Sequence, residues 1–144
     1  MNKYFYYIPQ KLASIIAVVA FMLFTSACAT KLNFTKSNIV PAAEGKVKIK
    51  KDRNNNYAIA ISIVNLAEVE RLQPSKKTYV AWIETNGYGI KNIGRLQSST
   101  GFLSRSLKAS LNTTTSFKPK RVFITAEMEG SIQYPAGQEI LTTH

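Results

Sequence analysis

The sequence predicts an all-β fold, a sandwich or barrel of about seven to eight short antiparallel strands. Three observations carry this. Apolar and polar residues alternate in several short runs, as in KVKIKK (Lys46–Lys51) and RVFITAE (Arg121–Glu127), which is the period of a strand with one buried face. Turn residues recur about every ten positions, the spacing of sandwich and barrel proteins. A chain of this size buries about two-thirds of its unfolded surface, so it needs no internal disulfide, and the single cysteine, Cys28, cannot form one.

Taken in order, Phe34–Val40 is a possible first strand, ended by Pro41. In Lys46–Lys51, Val47 and Ile49 share one face and Lys46, Lys48 and Lys50 the other, a half-buried strand with a wet basic side. Asp52–Asn56 is a turn, since Asn and Asp tolerate left-handed conformations, and it makes a hairpin with Tyr57–Leu66. That strand is apolar on both faces, large at Ile59, Ile61 and Ile63 and small at Ala58, Ala60 and Ser62, which predicts a central place. Ala67–Leu72 is too short for an independent helix. Thr78–Glu84 (TYVAWIE) is aromatic and β-branched, hence strand. Asn86–Gly89 turns into Gly89–Leu96. Gly101–Asn112 is a further strand, with Arg105 out of pattern at a bulge or an edge. Arg121–Glu127, an extended Ile132–Pro135, a turn at Pro135–Gly137 and a last strand, Glu139–Thr142, complete the domain.

The N-terminus reads as an address. Lys3 and Lys11 precede LASIIAVVAFMLF, thirteen residues without charge, and small residues follow, the layout of a secretory signal peptide. The apolar run is shorter than the roughly 20 residues a membrane helix needs. Thr25-Ser26-Ala27-Cys28 resembles a bacterial lipobox, where small side chains let the peptidase thread the segment and the thiol accepts diacylglycerol. The expected organisation is a signal peptide over 1–27, a lipidated polar tether over 28–36 and a β-sandwich domain over 37–144. Cleavage after Ala29, releasing a soluble chain, is the competing reading. Ala29 stands where an inner-membrane retention signal has Asp, so the lipoprotein resemblance implies the outer membrane. The partner expected on this reading is the membrane itself, through lipid on Cys28.

Three later segments resemble a known family. TYVAWIETNGYGIKNIGRL (Thr78–Leu96), RVFITAE (Arg121–Glu127) and QYPAGQEIL (Gln133–Leu141) follow one another as in the extracytoplasmic C-terminal domain of anti-sigma-K factor type proteins. They are also similar to small Bacteroidetes-type lipoproteins of unassigned function. The resemblance implies an immunoglobulin-like β-sandwich and, as an alternative function, a sensory accessory of an envelope-stress or anti-sigma system. In that family a helical sigma-binding part precedes a membrane helix. The residues before the apolar run here, Met1–Lys11, are too few to hold one, so sigma binding is not carried over.

Composition narrows the chemistry. Nineteen Lys and Arg stand against eight Asp and Glu, for a formal charge of +11 and a pI near 9.9. The only histidine is His144, at the end of the sequence, so no internal imidazole activates Ser98, Ser99, Ser104 or Ser106. A Ser106–Lys108 pair and the i, i+2 carboxylates Glu68/Glu70 and Glu127/Glu129 share strand faces, as acid–base pairs or cation holders would. Solvated surface acids among many lysines are the preferred reading of the carboxylate pairs and chance spacing that of the Ser–Lys pair, and Glu84 suits a salt bridge. No catalytic residue, metal site or cofactor is expected. The basic surplus has two readings. Lys46, Lys48 and Lys50 form one stripe and Lys118, Lys120 and Arg121 a second cluster, attracting anionic lipid headgroups, lipopolysaccharide, glycan acids or an acidic protein partner, or outward lysines guard a sheet edge against pairing. Export argues against nucleic acid. Tyr79, Trp82, Tyr88 and Tyr134 are candidates for stacking on sugars, Trp82 being the one this type of sandwich commonly buries between its sheets. The function expected is a non-catalytic binding or structural module of the cell envelope.

Overall fold

The computed structural model describes residues 29–100 and 107–144, which form two antiparallel sheets. The strands are β1 (Ala29–Asn33), β2 (Glu44–Lys51), β3 (Tyr57–Leu66), β4 (Thr78–Thr85), β5 (Gly89–Arg95), β6 (Gln97–Thr100), β7 (Leu107–Thr115), β8 (Pro119–Glu127) and β9 (Glu139–Thr142), with one 3-10 turn at Val69–Arg71. The first sheet runs β1-β2-β3-β7-β6 and the second β5-β4-β8-β9. Leaving β1 aside, this is the A-B-E-D sheet facing a C′-C-F-G sheet of an immunoglobulin-like sandwich. The signal segment and Cys28 lie outside the described residues, as do Leu103, Ser104, Arg105 and Ser106.

The core between the sheets is built by alternation. Ile59, Ile61 and Ile63 of β3 point inward, against Tyr79, Ala81 and Ile83 of β4 and Val122, Ile124 and Ala126 of β8. Each isoleucine so buried contributes roughly 1.5–3 kcal/mol. The strand that is apolar on both faces, β3, does lie at the centre of its sheet. The Asp52–Asn56 turn closes through Asn55 at φ 63°, and Asp52 Oδ1 accepts the N–H groups of Asn54 and Asn56, both at 2.8 Å. In the β4–β5 turn Gly87 and Gly89 have φ of 88° and 68°, conformations glycine adopts without strain.

Two expectations change. Ala29–Asn33, expected in a free tether, is a strand paired with β2 from Ala29↔Lys50 to Asn33↔Lys46. Its Leu32 packs on the core opposite Val47. Phe34–Val40 is not a strand. Phe34 bridges Thr143 and donates its N–H to Gly45 O at 3.0 Å, Thr35 N–H donates to Thr142 O at 2.8 Å, and Ser37 Oγ accepts from Val40 N–H at 3.0 Å to close a turn. The chain thus passes from the first sheet to the edge of the second. On the other side β5 runs through Leu96 directly into β6, again changing sheet. Both flanks of the sandwich are joined by strands that switch sheets at a bend.

The candidate cleft and the basic end

The outer face of the second sheet carries its own small core. Val80 and Trp82 of β4 and Phe123 of β8 point away from the first sheet and are buried under Ile90 and Ile132. Trp82 is therefore buried, but not between the sheets. It lies stacked near Phe123, ring centroids 6.4 Å apart, beneath the chain that links β8 to β9.

That link, residues 128–138, folds back over the sheet because two side chains clamp it. Asn92 Nδ2 donates to Gly130 O at 3.0 Å and Ile132 O at 2.8 Å, while its Oδ1 accepts Gly94 N–H at 2.8 Å. Asn92 occupies a β5 bulge, where Trp82 pairs Asn92 and Ala81 pairs Gly94. Glu127 is the second clamp. It is 1% exposed, and its Oε1 accepts Ala136 N–H at 3.1 Å, Gly137 N–H at 3.0 Å and the Thr125 hydroxyl at 2.6 Å. Thr125 Oγ1 in turn accepts the Trp82 indole N–H at 2.8 Å. No buried side-chain nitrogen or oxygen among the described residues lacks a hydrogen-bond partner, as buried polar groups require.

The clamped link and the start of β5 enclose an open cleft of about 570 Å³. Tyr88, 66% exposed, lines it from the turn into β5, and Tyr134, 73% exposed, lines it from the link. Lys91, Ser131 and Gln133 supply polar groups between them. The Tyr88 ring is braced against Phe117 at 5.3 Å, and Lys91 Nζ lies 5.4 Å above the Phe117 ring. Among the described residues, no carboxylate, imidazole or thiol lines this cleft. Its surfaces suit reversible contact through aromatic faces and hydrogen bonds.

The residues predicted for stacking are thus divided. Tyr88 and Tyr134 meet in one cleft, whereas Tyr79 and Trp82 are buried, Tyr79 donating its hydroxyl to Ala67 O at 2.9 Å. Burial, helped by Glu70, pushes the Tyr79 hydroxyl up to about 12. The carboxylate pairs do not form. Glu127 is buried while Glu129 is exposed beyond the strand end, and Glu68 is tied to Arg71 at 2.6 Å. Among the described residues no group of three or more His, Cys, Asp or Glu is close enough to hold a metal. Asn92 and the clamping role of Glu127 carry no motif. The one local cue is a polar residue inside an otherwise strand-like run, KNIG.

The predicted basic stripe and the predicted basic cluster lie apart, and the cluster itself divides. Lys46, Lys48 and Lys50 share the outer face of the first sheet, joined there by Lys31, which is directly opposite Lys48. They do not guard an edge, because β1 covers β2 on that side. Lys118 and Lys120 lie at the end of the sandwich. Arg121 is engaged on the second sheet, with Glu84 at 3.0 Å, Glu139 at 3.0 Å and the Phe123 ring at 4.5 Å. Lys120 also reaches Glu84, at 3.3 Å. The Lys120 and Arg121 hydrogen bonds hold the Glu84 carboxyl below the usual carboxylate range.

Comparisons with known proteins give no match: no family model fits the chain, and neither a curated protein nor a solved structure is significantly similar to it.

Proposed function

We propose that this protein is an exported, lipid-anchored module of the cell envelope that holds a glycan in the Tyr88–Tyr134 cleft without altering it chemically. One observation carries the binding reading. Two exposed tyrosines, Tyr88 and Tyr134, line one cleft, part of which is fixed by the Asn92 and Glu127 hydrogen bonds. A fixed wall lets a ligand bind without ordering the site first, and exposed aromatic rings serve as stacking faces. Lys91 matches acidic substituents on the sugar. The lipobox-like Thr25–Cys28 supports anchoring, and several acyl chains together make a stable anchor.

The test is binding of soluble envelope glycan fragments, by calorimetry, to the wild type and to Tyr88→Ala and Tyr134→Ala. Loss of one stacking partner lowers affinity by about two- to tenfold, the scale of an aromatic contact of about 0.5–1.5 kcal/mol. Unchanged affinity in both variants removes the cleft from the function. Anchoring is tested separately, since Cys28→Ser abolishes labelling with radioactive palmitate if the assignment is right. Crosslinking in intact cells then identifies the partner. Recovery of a regulatory protein in place of envelope glycan would support the sensory alternative.

A further inference from the structure

Strand register gathers one end of the sandwich. Ala29 pairs with Lys50, Lys51 with Tyr57, Tyr57 with Thr115, and Thr85 with both Gly89 and Pro119. The turns 52–56, 86–88 and 116–118 therefore project from the same end, and the Tyr88–Phe117 ring contact confirms that two of them touch. This end carries Lys50, Lys51, Arg53, Lys91, Lys118 and Lys120. Of the eight acidic residues, it holds Asp52 and Glu84. Asp52 is occupied by its own turn, and Glu84 by Lys120 and Arg121. Among the described residues no ion pair engages Lys50, Lys51, Arg53, Lys91 or Lys118. Two of these lysines lie over aromatic rings, Lys51 Nζ at 5.9 Å from Tyr57 and Lys91 Nζ at 5.4 Å from Phe117. Lysine stems and aromatic rings with polar tips are what membrane–water interfaces select.

From this end we infer that the protein docks on the anionic phospholipid headgroups of the bilayer that anchors it, standing on its Ala29 end. The inference rests partly on the anchoring reading above. Ala29, the first described residue, is already paired with Lys50, so a chain anchored at Cys28 has no free segment to let the domain drift. One extended residue spans about 3.5 Å, while the potential of an anionic surface reaches about 8 Å at physiological salt. Acylation at Cys28 therefore brings the level of Lys50 within that field. The Tyr88 wall of the cleft lies at this same end, so the cleft opens beside the membrane rather than far above it.

The experiment uses the lipidated protein reconstituted in vesicles, with a fluorophore placed by Asn54→Cys at the basic end or by Ser75→Cys at the opposite end. A shallow bilayer quencher reports proximity. In vesicles containing phosphatidylglycerol the label at position 54 is quenched severalfold more than the label at 75. The difference is lost in vesicles of phosphatidylcholine alone, in high salt, and in a Lys50→Gln/Lys51→Gln/Lys118→Gln triple variant whose unfolding transition is unchanged. Equal quenching of the two labels, or a difference indifferent to lipid charge and to the triple variant, overturns the proposal. Mass analysis of the N-terminal peptide reports Cys28 acylation independently. Should Cys28 prove unmodified, the anchor reading fails on its own. Docking is then read from cosedimentation of the protein with anionic vesicles, where the triple variant binds about a hundredfold more weakly, at about fivefold per basic residue. No such loss overturns docking, as does full displacement by soluble glycerol phosphate at the headgroup concentration.

Discussion

Glu127 gathers three donors on one oxygen inside the protein, and the neighbouring Gly137 is the residue that allows it. A side-chain carbon at position 137 would fall 1.8 Å from Ala126 O and 3.0 Å from Glu127 Oε2. The first obstacle is backbone of a central strand and cannot swing aside, so the whole link has to lift. Gly137→Ala is therefore expected to destabilise the fold by about 1–3 kcal/mol, the usual range for overpacking, read from the midpoint of urea unfolding. It also loosens the wall that carries Tyr134, so glycan affinity falls with stability. Ala136→Gly, at an exposed neighbour, is the control and leaves both nearly unchanged. Stability equal to wild type in Gly137→Ala would mean that the link is not clamped as described. Glu127 read from sequence is one of an i, i+2 carboxylate pair, because alternation fixes the face a residue takes and not what covers that face.

Among the elements, β1 places Lys31 directly across from Lys48 on an exposed face. Like charges directly opposed on a sheet are unfavourable, and opposite charges contribute roughly 0.2–1 kcal/mol. Lys31→Glu replaces repulsion with attraction and is expected to raise stability by several tenths of a kcal/mol up to about 1 kcal/mol at low salt. Added salt should erode the gain, because the pair is solvent-screened. Thermal unfolding at two salt concentrations checks this, and a variant less stable than wild type at low salt would contradict the register. Local pattern makes β3, β4 and β8 legible, since each carries alternating branched or aromatic residues that propagate one face. It does not reveal β1, whose ATKLN has one apolar side chain and whose partner lies well downstream along the chain. Nor does it reveal the covering link, which presents only Ile132 to Trp82. The cleft was half visible. Tyr88 and Tyr134 stood out as aromatics beside turns, but their meeting depends on Asn92, whose partners lie 38 and 40 residues away.

At the scale of the whole molecule, the central core holds the two sheets together, and a few polar ties, one within the second sheet and one from it to the segment leaving β3, set the pH range of the fold. Glu84 ties β4 to β8 at the basic end. Its folded carboxyl is held low by Lys120 first and Arg121 next, so this contribution is present above the unfolded value and is lost as pH falls through the lowered one. Tyr79 sets the alkaline limit. It lies on β4 and donates to Ala67 O, in the segment leaving β3 for the second sheet. The ordinary value of 10.0 is pushed up to about 12 by burial and, secondarily, by Glu70. Between those two values the folded state keeps a proton that the unfolded state has released, so stability is fully present below 10.0 and falls as pH rises toward about 12. Tyr79→Phe removes that proton. The variant starts less stable at neutral pH, by about 0.5–1.5 kcal/mol for the lost hydrogen bond. Its deficit narrows as pH climbs through this window, with a slope approaching one proton of linkage. Urea midpoints of the two proteins, measured side by side on either side of the ordinary tyrosine value, isolate this term from the lysines that titrate in both. Parallel curves would show that the link between the sheets runs through some other group, and converging curves would identify the buried Tyr79 hydroxyl as the alkaline limit of the sandwich.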